Sequence, residues 1–369
     1  MAQLRNSFSK NSTRGSSGSL SRRRKILRSI VLAVLVLYVL TTVFPFYLLI
    51  VRTFVPTKKT TDLWLWPPPM EEVNLDADAG NFSVFYNLDL KAFKEAVGIP
   101  VSEYINPKWS FKRIAEEYDV SEDVMRSYLN PFVKYNGWMV LYQDDQFFAS
   151  IGRTALMTIS GLVLLNLLSI LTGTGLAGLS SRFQRTVYNL YIASTAIPIF
   201  LIILPQYMLV QGILKMIPGY EDFGSATRKI AQLVAMIVLY ARGGALSTMI
   251  FTSYISSIPR ELEESAVIDG ASRWQYIRHI QMPLMKVPVA SMTVISLIWF
   301  WNDFLGPFVY LDTNNASLLV LISTFLGRYS TNYQVIYTGV LVSVLPLLIV
   351  YILFRRFFVA GAMAGAIKG

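Results

Sequence analysis

Cysteine is absent from this chain, histidine occurs once, and charged residues make up only 15% of its 369 positions. Without cysteine there can be no disulfide and no thiolate metal site, although the compartment stays open. His279 stands alone and reads as a polar surface residue, because no cluster of histidines and acids has metal-ligand spacing. No GxxxxGK[ST] stretch occurs, so the chain has no phosphate-cradling loop of its own and any ATP hydrolysis must be borrowed. A soluble domain carries about a quarter charged residues. The deficit here, beside 53% hydrophobic residues and repeated long apolar runs, predicts an all-α membrane protein that crosses the bilayer several times.

Lysine and arginine exceed the acids by ten, yet their distribution argues against nucleic acid as a partner. Residues 1–28 hold eight Lys/Arg and no acid, whereas residues 57–145 hold nine against fifteen Asp/Glu. That is the pattern of a chain sorted across a bilayer. The Ser/Gly/Asn-rich leader 1–28 is expected to be disordered, basic and cytoplasmic. The first apolar run lies within 29–56 and is too long for a cleavable signal. Five more spans are expected, roughly at 153–179, 187–214, 230–254, 287–304 and 334–354, each long enough for about 30 Å of hydrocarbon. Six spans put both termini in the cytoplasm. Arg182, Arg185, the 259–283 segment, Arg355, Arg356 and Lys368 then all fall on that side, as the positive-inside rule requires. The apolar stretch 317–325 is too short to span and is expected at the outer face or as a re-entrant segment.

Residues 57–145 are the one sizeable polar block, expected outside the cell and partly helical. "LWLWPPP" suits an interface or an extended spacer. "LKAFKEAVG" and "FKRIAEEYDVSEDVMRSYL" read as helices, with Ile114, Tyr118, Val124 and Tyr128 on the apolar side and Ser121 as a cap. The block is long enough for a small domain with a modest core. A decorated loop packed on the membrane part is the alternative.

The segment "PRELEESAVIDGASRWQYIRHIQMP", 259–283, places eight ionisable residues between apolar runs. Acids near its start favour a helix N-terminus, Gly270 can take the positive φ that ends a helix, and a second short helix leads towards Pro283. Periodicity alone describes two short amphipathic helices at an angle, which could equally be a hairpin resting on lipid headgroups.

Those residues resemble the EAA signature of the permease subunits of bacterial ABC importers. Glu264, Ser265, Ala266, Gly270, Ile280, Met282 and Pro283 fall on its positions, with Ser265 and Met282 as mild departures from the usual Ala and Leu. "FPFYLLIVRTF", "IPIFLIILPQYML", "FWNDFLGPFVYL" and "GAMAGAIKG" extend the likeness to the shorter subunit of the maltose-type carbohydrate permeases, over residues 29–56 and 147–369. Residues 57–145 have no counterpart in the usual short subunit. The resemblance implies that 146–369 is a permease core with five spans, and that loop 259–283 is a coupling hairpin docking into an ATPase. Glu263, Glu264, Ser265, Ala266, Asp269, Gly270, Ala271, Ile280 and Pro283 would carry that contact. It implies a transmembrane subunit of a binding-protein-dependent sugar or oligosaccharide importer in the bacterial cytoplasmic membrane. Its partners would be a second homologous permease, two ABC ATPases holding ATP and magnesium, and an extracellular substrate-binding protein, with no cofactor bound by this chain.

Polar groups within spans are costly and mark a path or a helix contact. Asn166, Gln206, Tyr207, Arg242, Trp301, Asn302 and Asp303 are the candidates, because aromatic faces beside amides and carboxylates suit sugars. Arg242, flanked by Gly243 and Gly244, is expected to face protein or water. A self-sufficient secondary transporter or channel would instead show duplicated halves and mid-membrane coupling residues, which are not evident. An anchored extracellular receptor or glycosidase using the acids of 57–145 is the remaining alternative.

Overall fold

Long apolar runs with internal prolines dictate helices, and helices are what form. The computed structural model describes residues 14–59, 62–68, 72–86, 88–242, 244–326 and 332–366. Among them there is no β-strand; an isolated backbone bridge pairs Asp78 with Ser110. Helix α1, Arg14–Arg52, begins inside the stretch read as a disordered leader, and residues 1–13 lie outside the described residues. Every side chain from Ile26 to Phe46 is exposed, as expected of a helix whose surroundings are lipid.

The polar block folds into α2 (Ala79–Tyr86), α3 (Leu90–Val97), α4 (Phe111–Glu117) and α5 (Glu122–Lys134). It has its own core, built on Phe82, Phe93, Phe111, Ile114, Met125, Leu129 and Phe132. The block thus buries a cluster of its own side chains. Its local signals behave as the sequence dictates. Asp89 and Ser110 cap α3 and α4, and Ser121 caps α5 by accepting from Asp123 N. Gly98 ends α3 at φ 80°. The apolar face of α5 differs by one residue from expectation. Val124 is 42% exposed, whereas Met125 and Leu129 are fully buried.

Helix α6 (Asn136–Gln143) returns the chain to the membrane part, and α7 (Phe147–Ala177) runs through its centre. A Cβ at Gly137 would lie 2.5 Å from the Gln334 carbonyl oxygen, so α6 lies hard against the last helix, α18 (Tyr333–Ala366). Gln334 Nε2 donates to Thr53 O at 2.9 Å and to Lys134 O at 3.2 Å, joining the ends of α1 and α5 to the start of α18.

Two of the other three expected spans are broken, and the third is entered through a sharp bend. Helices α8 (Ser181–Thr195) and α9 (Ile199–Leu214) meet at 96° across a gap ending in Pro198. Helices α10 (Ala226–Ala241) and α11 (Ala245–Ile255) meet at 46° at Arg242. After α12 (Arg260–Ile268) come α13 (Arg273–Tyr276), a wide π turn at Ile277–Gln281 and α14 (Met282–Leu284). These lead through a 70° bend into α15 (Lys286–Trp301). Short α16 (Leu305–Tyr310) and α17 (Leu318–Thr324) follow, the latter buried against α7 and α18. Among the described residues, three helices are long and apolar enough to cross a membrane, or up to six crossings if each bent pair counts as one. Helix pairs approach closely where side chains are small. Ser169 and Ser247 hydroxyls meet at 2.9 Å between α7 and α11, and a Cβ at Gly173 would touch Thr252 N at 3.1 Å.

Candidate coupling hairpin and membrane cavity

Helix α12 ends as its sequence requires. Gly270 takes φ 77°, Ala271 N donates back to Ala266 O at 2.9 Å, and Gly270 N donates to Val267 O at 3.0 Å. A residue with a Cβ would be strained there. Ser272 then opens the second limb with a reciprocal cap. Its hydroxyl accepts from Gln275 N, and Gln275 Oε1 accepts from Ser272 N.

Of the residues expected in the coupling contact, Ala266 alone is buried; Glu263, Glu264, Ser265, Asp269, Gly270 and Pro283 are exposed, with Ala271 and Ile280 between. Apolar side chains missed by the motif lie beside them. Val267 is 66% and Ile268 85% exposed, and Trp274 is turned outward as well. The second limb buries Tyr276 and Gln281 while leaving Trp274 exposed. Pro283 does not terminate it, because the π turn before it, closed by Met282 N donating to Ile277 O, leaves room for a residue without an N–H.

The hairpin is fastened to the core. Gln281 Nε2 donates to Thr174 Oγ1 at 2.6 Å, near the end of α7. A cleft of about 830 Å³ between Gly178, Ile255, Glu263, Glu264 and Tyr276 separates the first limb from the helices behind it. The hairpin thus lies at the C-terminal end of α7. The small domain and α6 lie at its N-terminal end, roughly 45 Å away at about 1.5 Å per helical residue.

Between these ends, a cavity of about 810 Å³ opens at the break between α10 and α11 and is closed by α15. Arg242, Asn302 and Asp303, three of the expected path residues, line it together. The sequence did not single out Tyr240, Trp299 and Phe300, which also line it. Tyr240 stacks on Phe300 at 4.3 Å and its hydroxyl donates to Asp303 Oδ2 at 3.0 Å. Gly306 N donates to Asp303 Oδ1 at 3.1 Å, so the carboxylate is held from two sides. Arg242 sits at the C-terminal end of α10, where the helix dipole favours a cation, and is exposed to the cavity. Among the described residues no carboxylate forms an ion pair with it. Gly244 lines the cavity too, and Gly243 lies outside the described residues.

The remaining path candidates are elsewhere. Trp301 is 7% exposed and donates from Nε1 to Ser343 O at 2.9 Å, which makes it a link to α18. Asn166 Nδ2 donates to Thr293 Oγ1 at 2.9 Å, tying α7 to α15. Tyr207 packs on Tyr310 at 5.8 Å in a cluster with Met157 and Met236, and Gln206 is half-buried on the same helix.

The arrangement is that of a polytopic helical membrane subunit with a polar hairpin at one end, an added domain at the other and a cavity between. A family model described as "Binding-protein-dependent transport system inner membrane component" matches residues 165–361. The chain belongs to that family and is a permease component of a binding-protein-dependent transport system. The arabinooligosaccharides transport system permease protein AraQ of Bacillus subtilis is 25% identical over 266 residues, 72% of this chain and 87% of that protein. The melibiose/raffinose/stachyose import permease protein MelC of the same organism is 28% identical over 227 residues, 60% and 78% of the two chains. In fold, a chain of a crystallised bacterial ABC transporter involved in the import of the acidic polysaccharide alginate superposes with a TM-score of 0.58 at 14% identity. The match covers 91% of this chain and 98% of that one.

Proposed function

We propose that this chain is the permease subunit of an ATP-driven importer for a sugar or oligosaccharide. It crosses the cytoplasmic membrane six times, each bent pair serving as one crossing, with both termini in the cytoplasm. The relatives named for arabinooligosaccharides and for melibiose, raffinose and stachyose support the substrate class. The observation that carries the mechanism is the placement of hairpin, cavity and outer domain along α7. Exposed Val267 and Ile268, with Glu263, Glu264, Ser265, Asp269, Gly270 and Ala271, form the surface that enters a groove of an ATPase subunit. Two such ATPases carry ATP and magnesium, and a second homologous permease completes the pathway. Closure of the nucleotide-bound ATPases moves the hairpin, and Gln281 passes that motion to α7, shifting the population towards the outward-open state.

In the cavity, the exposed face of Trp299 suits the apolar C–H patches of a sugar ring, and Asn302, Asp303 and Arg242 supply polar partners. Residues 57–145, placed outside the cell, hold the substrate-binding protein over the pathway. Affinity purification from native membranes tests the assignment. An ATPase and a second permease should co-purify with this chain and drive uptake of a labelled oligosaccharide after reconstitution. Recovery of a chain that transports alone would show a secondary transporter instead.

A further inference from the structure

A second cleft, of about 930 Å³, opens between the small domain and the membrane core, and shares no lining residue with the cavity at Arg242. Phe85 and Phe325 stand in its walls with Asn74, Asp78, Asn136 and Asp144. Flat apolar rings beside amides and carboxylates are what a polyhydroxylated ring needs.

One of these groups is out of place without a ligand. Asn136 is only 2% exposed, and its Oδ1 is buried with no hydrogen-bond partner among the described residues. A buried acceptor left unpaired is destabilising, and replacement by an apolar group of the same shape would remove that cost. Its position is fixed by Gly137, whose close packing on Gln334 and Thr338 holds the first turn of α6 against α18. A hydroxyl entering the cleft is a donor for that oxygen.

The charge of the cleft narrows the ligand. Asp78 and Asp144 line it together with Glu72, which is paired with Arg126 at 3.3 Å, and among the described residues no lysine or arginine is in its lining. Asp78 accepts from Asn81 N and Nδ2, and Asp144 accepts from Gln146 N, so both are held in place with lone pairs to spare. Hydroxyl donors are welcome there and a polyanion is repelled.

We propose that this cleft is a binding site for a neutral oligosaccharide on the outer face of the permease, separate from the membrane cavity. The inference rests on the reading of the chain as part of a sugar importer. The test uses the complete importer in nanodiscs, without its substrate-binding protein, titrated with maltotriose, arabinotriose and trigalacturonate and read by saturation-transfer NMR. At least one neutral trisaccharide should bind, and trigalacturonate should not. Asn136→Leu and Phe85→Ala should each weaken binding tenfold or more, with Asn136→Leu melting no lower than the wild type. Tyr104→Ala, on the exposed surface of the small domain and outside the cleft, should leave the signal in place.

Absence of binding by both neutral sugars, preference for trigalacturonate, wild-type binding by both cleft variants, or loss of the signal in Tyr104→Ala would each overturn the proposal. Uptake with the binding protein present separates the two readings. Sugar uptake without cleft binding overturns this inference alone, whereas failure of every sugar to be taken up overturns the importer reading.

Discussion

The Gln281 side chain donates to the Thr174 hydroxyl at 2.6 Å, and this bond fastens the second limb of the hairpin to the end of α7. Gln281 is 1% exposed, so the bond is sheltered from water. Gln281→Leu leaves the Thr174 hydroxyl without this donor and costs about 1–3 kcal/mol locally. The expected outcome is an importer that still assembles with its ATPase but transports severalfold less sugar per ATP hydrolysed. Parallel assays of uptake and phosphate release in proteoliposomes check it; an unchanged ratio would show that the bond transmits nothing.

Gly270 holds the angle between the limbs at φ 77°. Gly270→Val forces a β-branched residue into the left-handed region, at a cost of about 1–2 kcal/mol or more. Gly270→Asn, which tolerates that region, should be milder. ATPase recovered by pull-down should fall steeply for valine and little for asparagine, while both variants insert in the membrane. Equal recovery for the two would mean the turn does not set the docking geometry.

Local chemistry made some of this legible in the sequence. Gly270 and Ser121 act where a single residue's conformational preference decides the outcome, whereas the cap at Asp89 was not singled out. The face of α5 was missed by one position because Val124 and Met125 are both apolar, and only packing on Phe93 and Phe111 separates them. The breaks at Pro198 and Arg242 were not legible as bends, since Pro45, Pro205 and Pro346 sit inside continuous helices in the same chain. Trp301, Asn302 and Asp303 looked like one cluster, but a helix turns consecutive residues to different sides. Trp301 faces α18 and its two neighbours face the cavity. Tyr240 and Trp299 join the cavity only through convergence of α10 and α15, which no local pattern reports.

Arg242 lines the cavity without a carboxylate partner among the described residues. Arg242→Leu is expected to lower uptake by about tenfold, equivalent to about 1.4 kcal/mol, with little change in the amount of protein in the membrane. Arg242→Lys should recover part of it. Uptake kinetics beside quantitative blotting decide the matter, and wild-type kinetics for leucine would remove Arg242 from the path.

Gly137 permits the contact that seats α6 on α18. Gly137→Leu overpacks that contact, at about 1–3 kcal/mol, and should loosen the outer domain while leaving its separate core intact. Protease added to spheroplasts should cut within 57–145 in the wild type and faster in the variant, with the 259–283 hairpin protected in both. Protection of the outer block in intact spheroplasts would reverse the orientation.

The absence of cysteine makes the central claim directly measurable, because one introduced thiol is unique in this chain. Ile268, 85% exposed at the end of α12, is replaced by cysteine, and the assembled importer in inverted membrane vesicles is treated with a short thiol-to-amine crosslinker. The account predicts a single adduct of this chain with an ATPase subunit, whereas Val84→Cys in the outer domain, 87% exposed, should form none. No ATPase adduct at Ile268, or an equal yield from Val84, would contradict the reading of the hairpin as the point where ATP-driven motion enters the membrane.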